Sequence, residues 1–137
     1  MWSYEIRDVP GSGNCLFEAV GRSIGVDPYQ LRRATVSWMN VENQLVNDVP
    51  VAKWIEWAGH KSFQVYLAQM SQAGTWGSAL EISAMANMFK VPFLVYSKQD
   101  HTIKRIAEFL PKEYENTPVS VLYVGNNHYM QLLLKKT

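Results

Sequence analysis

The sequence predicts an α+β domain in which helices fill the first two thirds and a small central sheet gathers mostly at the end. Apolar residues recur at helical spacing from about residue 15 to residue 90. Continuous or alternating β-rich runs then follow at 93–96, 119–124 and 129–134. The chain has 137 residues, 47% of them hydrophobic, which suits one domain over 1–137 with a real core and excludes global disorder. The expected layering is a sheet sandwiched by helices.

The elements follow in order. Tyr4 to Asp8 alternates apolar and charged residues and predicts a short strand. Val9-Pro10-Gly11-Ser12-Gly13-Asn14 is a loop by composition. Cys15 to Ile24 predicts a helix with Leu16, Ala19, Val20 and Ile24 on one face and Gly25 as its C-terminal cap. Asp27-Pro28 begins the next helix as cap and first residue, with Leu31, Ala34, Trp38 and Leu45 as its expected buried stripe. Two shorter helices are predicted over Pro50–Ala58 and Ser62–Ser71, the second turning Phe63, Tyr66, Leu67 and Met70 inward. Ser78 followed by Glu81 is a capping-box pattern at the head of a helix that ends near Lys90. Val91-Pro92 stops that helix before the strand Phe93–Tyr96. Thr102–Phe109 predicts an edge strand, and Gly125-Asn126-Asn127-His128 joins the last two runs as a hairpin.

Composition excludes several classes of function. A formal net charge of +1 with 18% charged residues supplies neither a nucleic-acid footprint nor a polybasic membrane patch, so neither partner is expected. The single cysteine excludes an internal disulfide framework and any multi-cysteine zinc site, and it points to a reducing compartment. No apolar run approaches the ~20 residues of a transmembrane helix, and no signal-peptide pattern opens the chain. A cytoplasmic monomer is the expectation, in the host cytoplasm if the chain is viral, with no metal and no coenzyme.

Cys15 is the residue most open to chemistry. As an isolated cysteine it reads as a small buried hydrophobe. Its place at the first turn of a helix favours thiolate, however, and the loop before it can aim backbone N–H groups at a developing negative charge. A cysteine nucleophile needs a base, and there are three histidines. His60 and His101 sit in turn-like polar surroundings. His128 heads an apolar strand, where it can be held rigidly near another element or can simply bond the hairpin backbone.

Three motifs then narrow the choice. Gly11-Ser12-Gly13-Asn14-Cys15-Leu16-Phe17 resembles the cysteine motif D-G-N-C-L-F of the ovarian tumour (OTU) family of cysteine proteases. Gly74-Thr75-Trp76-Gly77-Ser78-Ala79-Leu80-Glu81-Ile82 resembles the family's W-G-x-x-x-E segment, and Asn127-His128-Tyr129 its histidine motif. All three stand in the family's order, and the resemblance spans Tyr4 to about Leu134. The short domain and its Trp-Gly-Ser-x-Leu-Glu wording look more like the viral branch.

The resemblance implies a papain-like fold and a thiol protease that removes ubiquitin, or ubiquitin-like modifiers, from lysines. By position Cys15 is then the nucleophile and His128 the general base. The N–H groups of Ser12, Gly13, Asn14 and Cys15 form the expected oxyanion hole. Trp76 stands near the channel for the substrate's glycine tail, or is a plain rim aromatic. Glu81 reads as a helix cap rather than a catalytic acid. Two positions depart from the family pattern: Ser12 replaces an aspartate, and Met130 replaces the polar residue two places after the histidine. The histidine-orienting group is therefore open. Asn126 is the first candidate, since side chains two apart share a strand face. Asn127, Asp8 and a bare Cys–His dyad are the alternatives. Ubiquitin or its conjugates are the expected partner. A polyprotein-processing protease and a silent ubiquitin-binding module are the competing functions.

Overall fold

Helix boundaries fall where the sequence places its caps. The computed structural model describes residues 2–114, 117–125 and 128–136. Strand β1 (Trp2–Arg7) leads through a loop into α1 (Cys15–Ile24) and α2 (Pro28–Met39). A small hairpin of β2 (Leu45–Val46) and β3 (Val49–Pro50) precedes α3 (Val51–Trp57), α4 (Phe63–Met70) and α5 (Ala79–Phe89). Strands β4 (Phe93–Gln99), β5 (Thr102–Phe109), β6 (Val119–Val124) and β7 (His128–Lys136) complete the chain order. Gly25 closes α1 at φ 74°, in the left-handed region that glycine enters without a Cβ penalty. The Asp27 carboxylate accepts from Gln30 N–H at the head of α2, beside Pro28.

The five long strands form one mixed sheet in the order β1-β7-β6-β4-β5, parallel between β4 and β6 and antiparallel elsewhere. The expected edge strand, β5, is an edge. Alternation along the strands separates two apolar faces. Phe93, Val95, Val121 and Tyr129 join the side chains of all five helices in the main core. Leu94, Tyr96, Leu122 and Leu132 form a second cluster on the other face, flanked by Ile6, Ile103, Val124, Met130 and Leu134. Among the described residues every helical side chain in a core cluster belongs to the first face. The α+β architecture and its small sheet stand as expected, with helical cover on one face. The strands bury the second cluster among themselves.

Two local readings change. The buried stripe of α2 is Leu31, Arg32, Thr35 and Met39. Ala34 is exposed, Trp38 is half-buried, and Leu45 is 47% exposed in the small hairpin. The i, i+4 row 31-35-39 faces the core, and Arg32 beside it is buried with both terminal nitrogens of its guanidinium hydrogen-bonded inside the protein. The β2–β3 hairpin was not foreseen. Asn47 and Asp48 turn it at φ 50° and 66°, and Asn-Asp between two apolar pairs is the signal that could have found it.

The capping box of α5 is deeper than a surface cap. Glu81 is 0% exposed. Its carboxylate accepts from Ser78 N–H at 2.8 Å, Ser78 Oγ at 2.6 Å and the Tyr66 hydroxyl at 2.6 Å. Burial, then the Glu81 carboxylate, push the Tyr66 phenol far above its ordinary range, so it remains a donor. Glu81 thus joins α4 to α5 while closing the helix end. Glu81→Ala takes the carboxylate acceptor from the buried Tyr66 hydroxyl and from the Ser78 N–H at the helix head, and should cost about 2–3 kcal/mol. Urea unfolding at unchanged m-value measures this, and a loss below about 0.5 kcal/mol would contradict a structural role.

Candidate active site

Sheet order brings the two ends of the chain together. The β1–β7 ladder pairs Ile6 with Leu132 and Arg7 with Gln131. Extending it one residue sets Asp8 level with Met130 and diagonal to His128 on the same face. Asp8 Oδ1 lies 3.0 Å from His128 Nε2. Asp8 is 72% exposed at its side chain and His128 only 16%. The hydrogen bond from His128 holds the Asp8 carboxyl below the usual aspartate range. With Nε2–H donated to Asp8, Nδ1 is the unprotonated nitrogen of the neutral ring. Nδ1 is buried and has no hydrogen-bond partner among the described residues.

Cys15 is the first residue of α1 and is 1% exposed. Its Sγ accepts from the Tyr129 N–H at 3.4 Å, which sets the sulfur against the backbone immediately after His128. Burial pushes the thiol up, against the N–H groups of Tyr129, Leu16 and Cys15 itself, which favour thiolate. The expected help from the helix N-terminus is therefore present, but desolvation outweighs it.

Asn14 occupies the N-cap position of α1, yet its side chain makes no capping bond. Its Oδ1 instead accepts from Gly74 N–H at 2.7 Å and from Arg32 Nη2 at 3.0 Å. Gly13 packs so closely on this turn that a Cβ there would overlap the Gly74 carbonyl oxygen. The cysteine loop and the loop before α5 are thus clasped together.

The expected oxyanion donors are less open than the sequence suggests. Ser12 N–H donates to Pro10 O at 2.8 Å, Cys15 N–H to Ser12 O at 3.0 Å and Asn14 N–H to Ser12 Oγ at 3.3 Å. Only the Gly13 N–H, of the four, has no acceptor among the described residues. The Cys15 N–H is committed to the turn that starts its helix. The bond to the Ser12 hydroxyl is long, and a stronger acceptor can displace it.

Trp76 is 41% exposed at a cleft of about 430 Å³ lined also by Gly77, Ile82, Phe109, Tyr123 and Tyr129. Tyr129 connects this cleft to the cysteine. His60 packs its ring on Tyr66 and His101 lies in the β4–β5 turn, both exposed. Asn126 and Asn127 lie outside the described residues. Asp8, one of the weaker candidates for orienting His128, is found with its carboxylate on Nε2, and its place two residues after Ile6 is the signal for it in the sequence. Sequence reasoning missed Arg32, because arginine beside a leucine on a helix looks like a surface residue.

A model of the OTU-like cysteine protease family matches residues 10–129. The chain belongs to that family. It is 28% identical over 98% of its length to OVARIAN TUMOR DOMAIN-containing deubiquitinating enzyme 4 of Arabidopsis thaliana. It is 24% identical over 88% of its length to Deubiquitinase OTUD6B of Xenopus laevis. The chain spans 44% of the first relative and 41% of the second. The viral OTU domain protease from Dera Ghazi Khan virus superposes with a TM-score of 0.76 at 15% identity, covering 97% of this chain and 82% of that one. An OTU deubiquitinase from Wolbachia pipientis wMel, solved bound to ubiquitin, superposes with a TM-score of 0.68 at 18% identity, over 95% of each chain. These two structures share the OTU fold with this chain.

The pH dependence of thiol reactivity tests this site. Burial disfavours the Cys15 thiolate, so a neighbouring base should govern how readily the thiol ionises. In His128→Ala, alkylation of Cys15 by iodoacetamide at pH 7 should fall at least about tenfold and recover only above the ordinary thiol range. An unchanged rate–pH profile in that variant would separate the two residues.

Proposed function

We propose that this domain is a deubiquitinating cysteine isopeptidase, with Cys15 as nucleophile, His128 as base and acid, and Asp8 as the group that orients the histidine. The observations that carry it are the Asp8–His128 contact, which leaves the buried Nδ1 as the free ring nitrogen, and the bond from the next residue's N–H to the Cys15 sulfur. In this reading Nδ1 takes the thiol proton and the thiolate attacks the carbonyl of ubiquitin's C-terminal glycine. The tetrahedral oxyanion forms against the Gly13 N–H and the Asn14 N–H, displacing the Ser12 hydroxyl from the latter. Collapse expels the lysine amine, which receives its proton from the imidazolium. Water activated by the same histidine then hydrolyses the thioester and restores the thiol.

Ubiquitin as substrate is supported by relatives that carry the name deubiquitinase and by the ubiquitin-bound Wolbachia structure of the same fold. Trp76 and its cleft would receive the approach of the substrate's extended tail. Asp8 orients better than a neutral amide, because a carboxylate both fixes the tautomer and stabilises the imidazolium. Its exposure lets water replace it in part.

Ubiquitin bearing a fluorogenic amide at its C-terminus should be cleaved by the parent and left intact by Cys15→Ala. A folded parent that binds ubiquitin without turnover, unaffected by alkylation, would instead fit a silent binding module. Asp8→Asn should lower kcat about 10–100-fold with KM little changed. The Asp8 carboxyl titrates below its ordinary range, so its contribution holds at all higher pH and is lost only as pH falls through that lowered value. An Asp8→Asn variant with parental kcat would return the orienting role to another residue or to none.

A further inference from the structure

Arg32 is buried at 2% exposure, and among the described residues no carboxylate lies within ion-pair distance of it. Its Nη2 donates to Gly13 O at 3.1 Å and to Asn14 Oδ1 at 3.0 Å. Its Nη1 donates to Met70 O, at the end of α4, at 3.0 Å. The guanidinium lies 4.5 Å over the ring of Phe17. Backbone oxygens, an amide and a ring therefore hold the cation.

The contact with Gly13 O has a consequence for the loop. In a trans peptide the C=O and the following N–H point in opposite directions. A Gly13 carbonyl drawn inward by Arg32 turns the Asn14 N–H outward, and that N–H is found on the Ser12 hydroxyl at 3.3 Å. The same guanidinium draws the Asn14 side chain away from the cap of α1 and onto Gly74 N–H. One side chain thus orients the peptide before the cysteine and connects it to the loop that carries Trp76.

We infer that Arg32 is a positioning residue: its buried guanidinium fixes the Gly13–Asn14 peptide and, through Asn14, the Gly74 turn, so that the loop's N–H groups face the oxygen of a carbonyl attacked by Cys15. This deepens the catalytic reading above and rests on Cys15 being the nucleophile. Lysine cannot replace Arg32, because one ammonium cannot make the planar fork that reaches Gly13, Asn14 and Met70 together.

The test compares two reactions of one thiol. Acylation of Cys15 by p-nitrophenyl acetate forms a carbon–sulfur bond through a tetrahedral oxyanion and expels p-nitrophenolate. Alkylation by iodoacetamide displaces iodide and forms no oxyanion. Arg32→Lys and Asn14→Ala should slow acylation on the order of tenfold and Arg32→Met about a hundredfold, as expected for misplaced oxyanion donors. Alkylation should stay within about twofold of the parent. Thermal melts identify variants that do not fold, and Asn14→Ala, which keeps the arginine and its two backbone bonds, carries the test if the Arg32 variants unfold. Parallel loss of both reactions in a folded variant, or no loss of acylation, would overturn the inference. The fluorogenic ubiquitin assay run alongside separates the two readings. A parent that acylates but leaves ubiquitin intact contradicts the substrate assignment, while the acylation-to-alkylation ratio still decides the role of Arg32.

Discussion

The antiparallel pairing of β1 with β7 is the constraint from which the site follows. It joins the two ends of the described chain, setting Trp2 opposite Lys136 and Arg7 opposite Gln131. A contact between Asp8 and His128, 120 positions apart, would carry a large loop-closure entropy if made alone. The ladder closes that loop with backbone hydrogen bonds, and the side-chain contact then costs little more than two rotamers. The loop after Asp8 has only six residues before Cys15, so the same pairing delivers the thiol to the backbone of Tyr129. A one-residue slip would turn Asp8 to the opposite face and separate it from the histidine. Burial of Ile6 and Leu132 in the strand-only cluster resists such a slip.

Behind this junction the site is held by buried polar groups. Glu81 gathers Ser78 and Tyr66, and Arg32 gathers Gly13, Asn14 and Met70. The two charges sense each other without touching: burial lowers the Arg32 pKa and the Glu81 field raises it. A purely apolar core could match such groups in stability. It could not supply the directional bonds that hold the Trp76 loop against the cysteine loop.

Local chemistry was legible in the sequence wherever one residue type has one mechanical use. Asp27-Pro28, Gly25 and the Ser78–Glu81 pair predicted their helix ends, and β-rich runs predicted four of the five sheet strands close to their observed bounds. The cysteine and histidine motifs were legible through resemblance, which the match over residues 10–129 supports. Long-range features were harder to see. The α2 stripe was misjudged because Ala34 and Trp38 look apolar while Arg32 looks solvated, and only the distant Gly13, Asn14 and Met70 explain its burial. Commitment of the loop N–H groups to Pro10 and Ser12 is likewise a matter of backbone geometry that composition does not encode.

The two departures from the family pattern now have one physical account. A polar residue at position 130 would share a strand face with His128 and could orient it along the same strand. Met130 is instead packed with Leu122 and Leu132 in the second cluster, where an unpaired polar group would be costly. The diagonal neighbour across the β1–β7 ladder is Asp8, and it meets Nε2 from the adjacent strand. Ser12, where the family has aspartate, serves a different need: its carbonyl starts the turn into α1 and its hydroxyl occupies the Asn14 N–H. The acid on β1 and the neutral hydroxyl in the loop thus meet separate needs: one bonds the His128 imidazole, and the other holds the turn that presents Cys15.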